Sequence, residues 1–268
     1  FRNDYPDDPL QAEVTRKLAF AYERNGQSRK AAAAYLHLGQ DRRQADALQR
    51  DALLHAAGIY AQAGEARQAV STLEIYLQRF PKPVETAVDV MQQLATLAAG
   101  TGNAGKRLHW LEEIIKLDRA AGTTGTHVPA AEAALELAEN QLSAFQRIRL
   151  VNPVQDSLAR KLQAMKRALQ AFEAAIGYGV LPVSTAGTYQ IASMYEELGH
   201  ELLASARPAG LSGDELAEYN ALLAEQAEPF EQLAIKIHMS NAERAGDDQP
   251  DPWIEKSVQR LDELQGDR

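Results

Sequence analysis

The chain has 268 residues, 45% of them hydrophobic, and a formal net charge of −9 at pH 7. This length suits one large domain, two small domains or an elongated repeat array, and the apolar fraction can supply a sizeable core. The negative charge argues against nucleic acid as the main partner, because phosphate binding needs a clustered basic surface. The absence of cysteine excludes disulfides, thiolate metal sites and cysteine nucleophiles, and it fits oxidising and reducing compartments equally well.

The composition favours helix over strand, because alanine, leucine, glutamine and glutamate are abundant while β-branched and aromatic residues are sparse. No apolar run approaches the roughly 18 residues that span a bilayer. The sequence begins at Phe1 without an initiator methionine, so we expect a fragment or a processed chain.

Three segments of the first half repeat one pattern with a period of 38 residues: Leu18–Leu38, Ala56–Tyr76 and Leu94–Ile114. In each, a small residue is followed three positions later by an apolar one, and four positions beyond that by glycine. These sets are Ala19, Ala57 and Ala95; Tyr22, Tyr60 and Ala98; and Gly26, Gly64 and Gly102. Apolar residues spaced i, i+4, i+7 follow each glycine. Each segment therefore predicts two amphipathic helices joined at glycine, a hairpin that must stack on its neighbours to bury its apolar face.

The third segment also spells G-x-x-x-x-G-K from Gly100 to Lys106, seven of the eight positions of a phosphate-binding loop. Such a loop needs a preceding strand and a Ser or Thr after the lysine. Here the preceding residues are helical in pattern, and Arg107 replaces the hydroxyl residue. We interpret Gly102 as the turn of the third hairpin and expect no nucleotide binding.

The second half stays helical in pattern but loses the regular period. The predicted helices are Pro129 to about Phe145; Asn152-Pro153 to about Ile176; one containing Ala192, Tyr195 and Gly199 and ending near Ala204; one opened by a capping box at Ser212; and one starting at Asp251-Pro252. We expect a connector at residues 179–183, a kink or division near Ala227 caused by Pro229, and Val258 on the apolar face of the last helix.

The small, aromatic and glycine positions resemble those of the tetratricopeptide repeat (TPR) family. The resemblance implies an all-α fold, a TPR-like α–α superhelical solenoid of about five helical hairpins plus a C-terminal capping helix. Residues 1–122 would form three regular 38-residue repeats, and residues 123–268 irregular hairpins with long helices and the cap.

A second resemblance concerns Ser184–Arg244, which contains Arg207-Pro208, Leu211-Ser212 and an EY-x-x-LL-x-EQA-x-PFE run. This region looks like part of the large, TPR-rich envelope proteins of bacteria that are associated with TonB/ExbB/ExbD-type energy transducers or with gliding machinery. The resemblance implies a periplasmic scaffold with partners of that class, and it brings no catalytic residues.

The first helices of stacked hairpins line a concave surface, so the positions between their signature residues should face a partner-binding groove. These positions are Arg16, Phe20, Glu23, Leu54, Gly58, Gln62, Gln92 and Thr96. The set suits an extended or helical peptide with apolar anchors. The alternative is that the groove is only solvated surface or is filled by the second half of the chain.

A basic cluster precedes the long helix and continues into it, and we consider it either a solvated helix face or a docking patch for an acidic partner. Its helical members are Arg160, Lys161, Lys166 and Arg167. Taken together, the sequence predicts a non-catalytic scaffold or adaptor without cofactor or metal. The alternative is a regulatory sensor whose groove binds a peptide or small ligand and modulates a partner enzyme.

Overall fold

A computed structural model describes residue 8 and the ranges 10–151, 154–244 and 251–266. Within these ranges the chain forms eleven α-helices and no β-strand. The helices are α1 (Gln11–Arg24), α2 (Ser28–Gln40), α3 (Asp46–Gln62), α4 (Ala66–Arg79), α5 (Val84–Gly100), α6 (Ala104–Ala121), α7 (Thr124–Gln146), α8 (Val154–Ile176), α9 (Leu181–Ala204), α10 (Gly213–Ala242) and α11 (Pro252–Gly266). The helix start expected at Asn152 and Pro153 lies outside the described residues.

The chain divides into two compact units, unit 1 (Phe1–Thr126) and unit 2 (His127–Arg268). Among the described helices, none combines the length and the hydropathy needed to cross a bilayer.

The three hairpins of unit 1 turn at the predicted glycines. Gly26, Gly64 and Gly102 have φ of 70°, 75° and 71°, a left-handed conformation that strains residues with a Cβ atom. The amide after each glycine closes the turn on a carbonyl five residues earlier, which satisfies a free carbonyl at the helix end. These bonds run from Gln27 to Tyr22 (2.9 Å), from Glu65 to Tyr60 (2.8 Å) and from Asn103 to Ala98 (2.8 Å).

The G-x-x-x-x-G-K segment is therefore a helix–turn–helix junction. Helix α5 ends at Gly100, and α6 begins at Ala104. The Asn103 side chain caps α6 by accepting a hydrogen bond from the backbone N–H of Lys106 at 3.1 Å. A backbone donor that a phosphate loop would present to its ligand is thus already bonded within the chain.

The small and aromatic positions of the repeat form the core of unit 1. Ala19, Ala57 and Ala95 are at most 5% exposed, and Tyr60 is 7% exposed. One apolar cluster joins the first two hairpins and the other joins the second and third. Their buried members are Ala31, Ala32, Ile59, Tyr60 and Ala69, and Leu53, Ala57, Leu73, Tyr76, Phe80, Val90 and Leu94. The alanines let the helices approach closely, and the tyrosines fill the space between hairpins.

In unit 2, α9 packs against α8, α10 and α11. It ends at Ala204, and Gly199 lies inside it, as the apolar pattern predicts. The unit's main apolar cluster takes residues from α7 to α10; its buried members are Ala138, Leu142, Phe145, Ala164, Met165, Ala168, Phe172, Met194, Leu198, Leu202 and Ala227. The capping box of α10 is present: the Glu215 amide donates to Ser212 Oγ, and the Ser212 amide donates to a Glu215 carboxylate oxygen.

Two predicted helix starts in the second half are wrong. Helix α7 begins at Thr124, five residues before the predicted Pro129. Its first turn is anchored by Thr126, whose buried hydroxyl donates to Asp118 Oδ1 on α6 at 2.6 Å. Residues 181–183, expected in a connector, form the first turn of α9, with proline at a position where its missing N–H costs nothing.

Two further expectations fail in part for reasons of packing. Of the kink or division expected at Pro229, the division is wrong, because α10 runs unbroken from Gly213 to Ala242 along α9, and the kink stays a prediction. Favourable contacts with α9, including buried Ala227, keep this helix together despite the lost backbone hydrogen bond. On α11, Ile254 is 7% exposed and Ser257 is fully buried, whereas Val258 is 45% exposed. The buried face of α11 therefore includes Ile254 and Ser257 and excludes Val258, the one predicted position that fails.

Candidate functional site

Unit 1 carries an open cavity of about 630 Å³ beside two of the predicted groove residues, Phe20 and Glu23. Arg24, Tyr35 and His55 complete its lining. Phe20 is 57% exposed, so its ring is available to a molecule that binds at the cavity. The cavity therefore offers an apolar contact and a carboxylate to a molecule bound on this side of α1.

Glu23 is held in place by two neighbours from later helices. Its Oε2 lies 3.0 Å from Nε2 of His55, and it accepts a hydrogen bond from the Tyr35 hydroxyl at 3.4 Å. The Tyr35 and His55 rings meet edge to face, with centroids 4.5 Å apart. Burial, and after it the Glu23 carboxylate, raise the pKa of Tyr35. The phenol therefore stays protonated and acts as a hydrogen-bond donor near neutral pH.

The other predicted groove positions divide into open and packed ones. Arg16 is exposed one turn before Phe20, and Gln62 is exposed at the end of α3. Leu54, in contrast, packs against the apolar cluster that joins the second and third hairpins, so it belongs mainly to the core. Gly58 is half-buried in α3.

The two predicted groove residues on α5 are less available to a partner than those on α1 and α3. Thr96 is exposed, but its hydroxyl donates to the backbone carbonyl of Gln92 at 2.9 Å, and the Gln92 side chain is half-buried. The open part of the predicted groove is thus concentrated on α1 and α3. We name this surface, consisting of Arg16, Phe20, Glu23, His55 and Gln62, the first-helix surface.

His55 and Tyr35 were not among the predicted groove residues. Tyr35 lies in the i, i+4, i+7 apolar run that follows Gly26, so its repeat position predicts a core side chain. His55 could have been found from spacing, because it stands i, i+3 and i+7 with Gly58 and Gln62 and so shares their face of α3. Its pairing with Glu23, 32 residues earlier, has no signal in the sequence.

The predicted basic docking patch on α8 is wrong in one member. Arg160, Lys166 and Arg167 are exposed, but Lys161 is fully buried. Its Nζ lies 3.1 Å from Oε1 of Glu197 and 3.0 Å from Oε2 of Glu201, both on α9. These carboxylates draw the lysine into unit 2, because a buried charge needs a counter-charge. A docking patch on α8 could use only the other three residues.

Comparisons with known proteins bear on the fold. No protein-family model matches the chain, and no curated protein sequence matches it. Among solved structures, a TPR protein from Bacteroides fragilis is similar with a TM-score of 0.58, at 12% identity over 96% of this chain and 99% of that one. At this identity the similarity shows the fold alone, so the chain has the all-helical fold of TPR-like solenoids.

Two other TPR structures match with lower scores. One, from Parabacteroides merdae, gives a TM-score of 0.36 at 12% identity over 98% of this chain and 88% of that one. The other is a yeast Sti1 domain solved with an Hsp90 peptide; its TM-score is 0.38 at 13% identity, over 96% of this chain and 98% of that one.

Proposed function

We propose that this chain is a non-catalytic interaction scaffold that binds a peptide segment of a partner protein on the first-helix surface. The observation that carries the proposal is the exposed Phe20 ring beside the cavity of about 630 Å³. Large exposed aromatic rings next to a concavity are typical anchors for partner side chains. Hairpin-repeat folds present such surfaces along their first helices.

The polar groups of the first-helix surface favour binding of a peptide over catalysis. The Glu23 carboxylate is hydrogen-bonded to His55 and to Tyr35, whose rings contact each other edge to face, and these contacts fix the wall of the cavity. An apolar side chain of the peptide would contact Phe20, while Arg16 and Gln62 would offer hydrogen bonds to the peptide backbone or polar side chains.

The test starts with selection of binding peptides from a displayed random library, using the full chain as bait. The affinity of a selected peptide is then measured by calorimetry for the wild type and for the double variant Phe20→Ala with Gln62→Ala. We expect the double variant to bind at least about tenfold more weakly, because a buried aromatic contact is lost. Leu203→Ala, which removes a 43% exposed apolar side chain in unit 2, is the matched control and should bind normally. Equal affinity of the double variant and the wild type would show that the peptide does not bind on the first-helix surface.

The alternative function is a regulatory sensor that binds a small ligand in the same cavity. Its volume lies within the roughly 300–1,000 Å³ of ligand pockets. A thermal-shift screen separates the two: a small molecule that raises the melting temperature of the wild type but not of Phe20→Ala would favour the sensor.

We further propose that the chain acts in the bacterial envelope, in a complex of the TonB/ExbB/ExbD or gliding class. The support is the resemblance of Ser184–Arg244 to envelope proteins rich in TPR. Fractionation of the source cell with antibodies against the chain tests the location. Recovery in the periplasmic fraction would support the proposal, and recovery in the cytosol would refute it.

A further inference from the structure

The third hairpin of unit 1 lacks a ring that the first two carry. Tyr22 and Tyr60 occupy the position before the hairpin turn, and Ala98 replaces them in α5. Tyr60 is 7% exposed and packs in a cluster with Ala31 and Ala32 of the preceding hairpin. At the equivalent place between the second and third hairpins, only a methyl group is present.

A cavity of about 390 Å³ lies where the ring is missing. Its lining comes from α4, α5 and α6 and from the turn between α5 and α6: Ala66, Arg67, Val70, Ser71, Glu74, Leu94, Ala98, Thr101, Asn103, Lys106 and Trp110. We name this cavity the ring pocket. Its volume falls within the range of roughly 300–1,000 Å³ for ligand pockets. Trp110 is half-buried and occupies the position in the third hairpin that Thr72 occupies in the second. Although the tryptophan side chain is larger than the threonine side chain, the cavity remains open.

The ring pocket is separate from the first-helix surface. Its lining residues lie on α4, α5 and α6 and in the turn between α5 and α6, whereas every residue of the first-helix surface lies on α1 or α3. The two sets share no residue. Loss of binding at one surface can therefore be measured without disturbing the other.

The charges around the ring pocket also differ from those of the preceding hairpin. Between the first and second hairpins, Arg29 forms an ion pair with Glu65. One repeat later, 38 residues along the chain, the equivalent positions are Arg67 and Asn103. The carboxylate of Glu65 is therefore replaced by the neutral amide of Asn103. Arg67 is exposed and forms no ion pair within the part of the chain that the structure describes. Lys106 adds a second cation, whose Nζ lies 3.7 Å from Oε1 of Glu74.

We propose that the ring pocket binds a partner's peptide that carries a Phe or Tyr residue next to an Asp or Glu. The aromatic ring fills the space at Ala98, against Val70 and Trp110. The neighbouring carboxylate pairs with Arg67. The ligand thus supplies the two groups, a ring and a carboxylate, that Tyr60 and Glu65 supply one repeat earlier.

The probe is the hexapeptide acetyl-Gly-Ser-Phe-Asp-Ser-Gly-amide, titrated into the full chain labelled with ¹⁵N. The chain has two tryptophans, so its indole N–H signals separate Trp110, in the pocket, from Trp253, in unit 2. We expect a saturable shift of the Trp110 signal with the Trp253 signal unchanged. Replacing Phe in the peptide by Ala should weaken binding at least about tenfold. Replacing Asp by Asn should weaken it about two- to fivefold, as for an exposed ion pair.

The decisive variant is Ala98→Tyr, which restores the residue of the first two hairpins and fills the pocket with the chain's own ring. We expect it to melt no lower than the wild type and to lose the peptide-induced shift. Asn103→Glu is a second variant, which supplies Arg67 with the carboxylate that Glu65 provides to Arg29. It should weaken the Asp peptide about two- to fivefold and leave the Asn peptide unaffected.

Two results would overturn the proposal. One is a folded Ala98→Tyr variant that binds the peptide as the wild type does. The other is the absence of any Trp110 shift in the wild type at about 5 mM peptide, a concentration well above the dissociation constant of a weak specific complex. If Ala98→Tyr failed to fold, an unchanged affinity of Asn103→Glu for the Asp peptide would refute the proposed carboxylate contact.

Discussion

The Nζ atom of Lys161 lies 3.0 Å from Oε2 of Glu201, and the lysine side chain is fully buried in unit 2. A second carboxylate oxygen, Oε1 of Glu197, lies 3.1 Å away. The ammonium group also donates to the carbonyl of Ile148 at 3.1 Å and lies 4.1 Å from the centre of the Phe145 ring. This one cation therefore ties α7 and α8 to α9.

Loss of that cation should destabilise unit 2 strongly. We expect Lys161→Met to reduce the free energy of unfolding by about 3–5 kcal/mol, because two carboxylates lose their buried partner. Urea denaturation of the full chain measures this. Adding Glu197→Gln and Glu201→Gln to the variant should restore part of the loss, since the two carboxylates that lost their ammonium partner are then neutral. Lys166→Met, at an exposed position of the same helix, should change stability by no more than about 0.5 kcal/mol. A large effect at Lys166 or none at Lys161 would contradict the packing of α8.

Glu196 should make the stability of unit 2 depend on acid pH. Burial alone would raise the pKa of Glu196, but hydrogen bonds from His238 and Arg260 outweigh it and hold the pKa below its ordinary value of 4.5. A carboxyl whose pKa is lower in the folded state stabilises the fold fully above its unfolded pKa. That contribution is lost as the pH falls through the folded pKa.

We therefore expect denaturation midpoints of the wild type to fall below about pH 4.5 and those of Glu196→Gln to fall less steeply. Glu218→Gln, at an exposed position on α10, is the control and should follow the wild-type profile. Parallel acid profiles for Glu196→Gln and the wild type would show that this carboxyl does not contribute.

Two glycines of the second hairpin should respond to alanine in opposite directions. Gly64 has φ of 75° at the turn, so Gly64→Ala should cost about 1–2 kcal/mol. Gly58 lies inside α3 with nothing within 4 Å of an added Cβ, so Gly58→Ala should stabilise by about 0.5–1 kcal/mol. Thermal and urea unfolding of both variants provide the comparison. A stabilising Gly64→Ala would be incompatible with the left-handed turn.

The buried tyrosine of the same hairpin should carry a large share of its packing. Tyr60→Ala should cost roughly 3 kcal/mol, as for other large-to-small changes in a core. Phe20→Ala removes an exposed ring of similar size and should change stability by no more than about 0.5 kcal/mol. An unchanged melting temperature for Tyr60→Ala would count against the alignment of the repeats.

The sequence predicts the hairpins of unit 1 well because their signals are local. Gly26, Gly64 and Gly102 mark turns, and the alanine and tyrosine positions recur at fixed distances from them. The first turn of α7 is missed because it depends on the hydrogen bond from Thr126 to Asp118, a contact between two helices. Packing between helices also decides the face of α11 and the continuity of α10.

The candidate site follows the same division. The spacing between signature residues predicts Phe20 and Glu23 as groove positions, and both line the cavity on unit 1. The burial of Lys161 is missed because its partners, Glu197 and Glu201, lie 36 and 40 residues later on another helix. A basic run in a sequence looks the same whether its lysine faces solvent or two carboxylates, and only the packing of α8 on α9 distinguishes the cases.

Site-specific photo-crosslinking in the source cell tests the central claim most directly. The photoreactive residue p-benzoylphenylalanine is placed in the full chain at position 20, at position 62, or at position 218, an exposed position of α10 in unit 2. A partner seated on the first-helix surface should be crosslinked from positions 20 and 62, as the same protein, and not from position 218. Crosslinks from position 218 alone, or none from position 20, would contradict the claim that the first helices of unit 1 bind the partner.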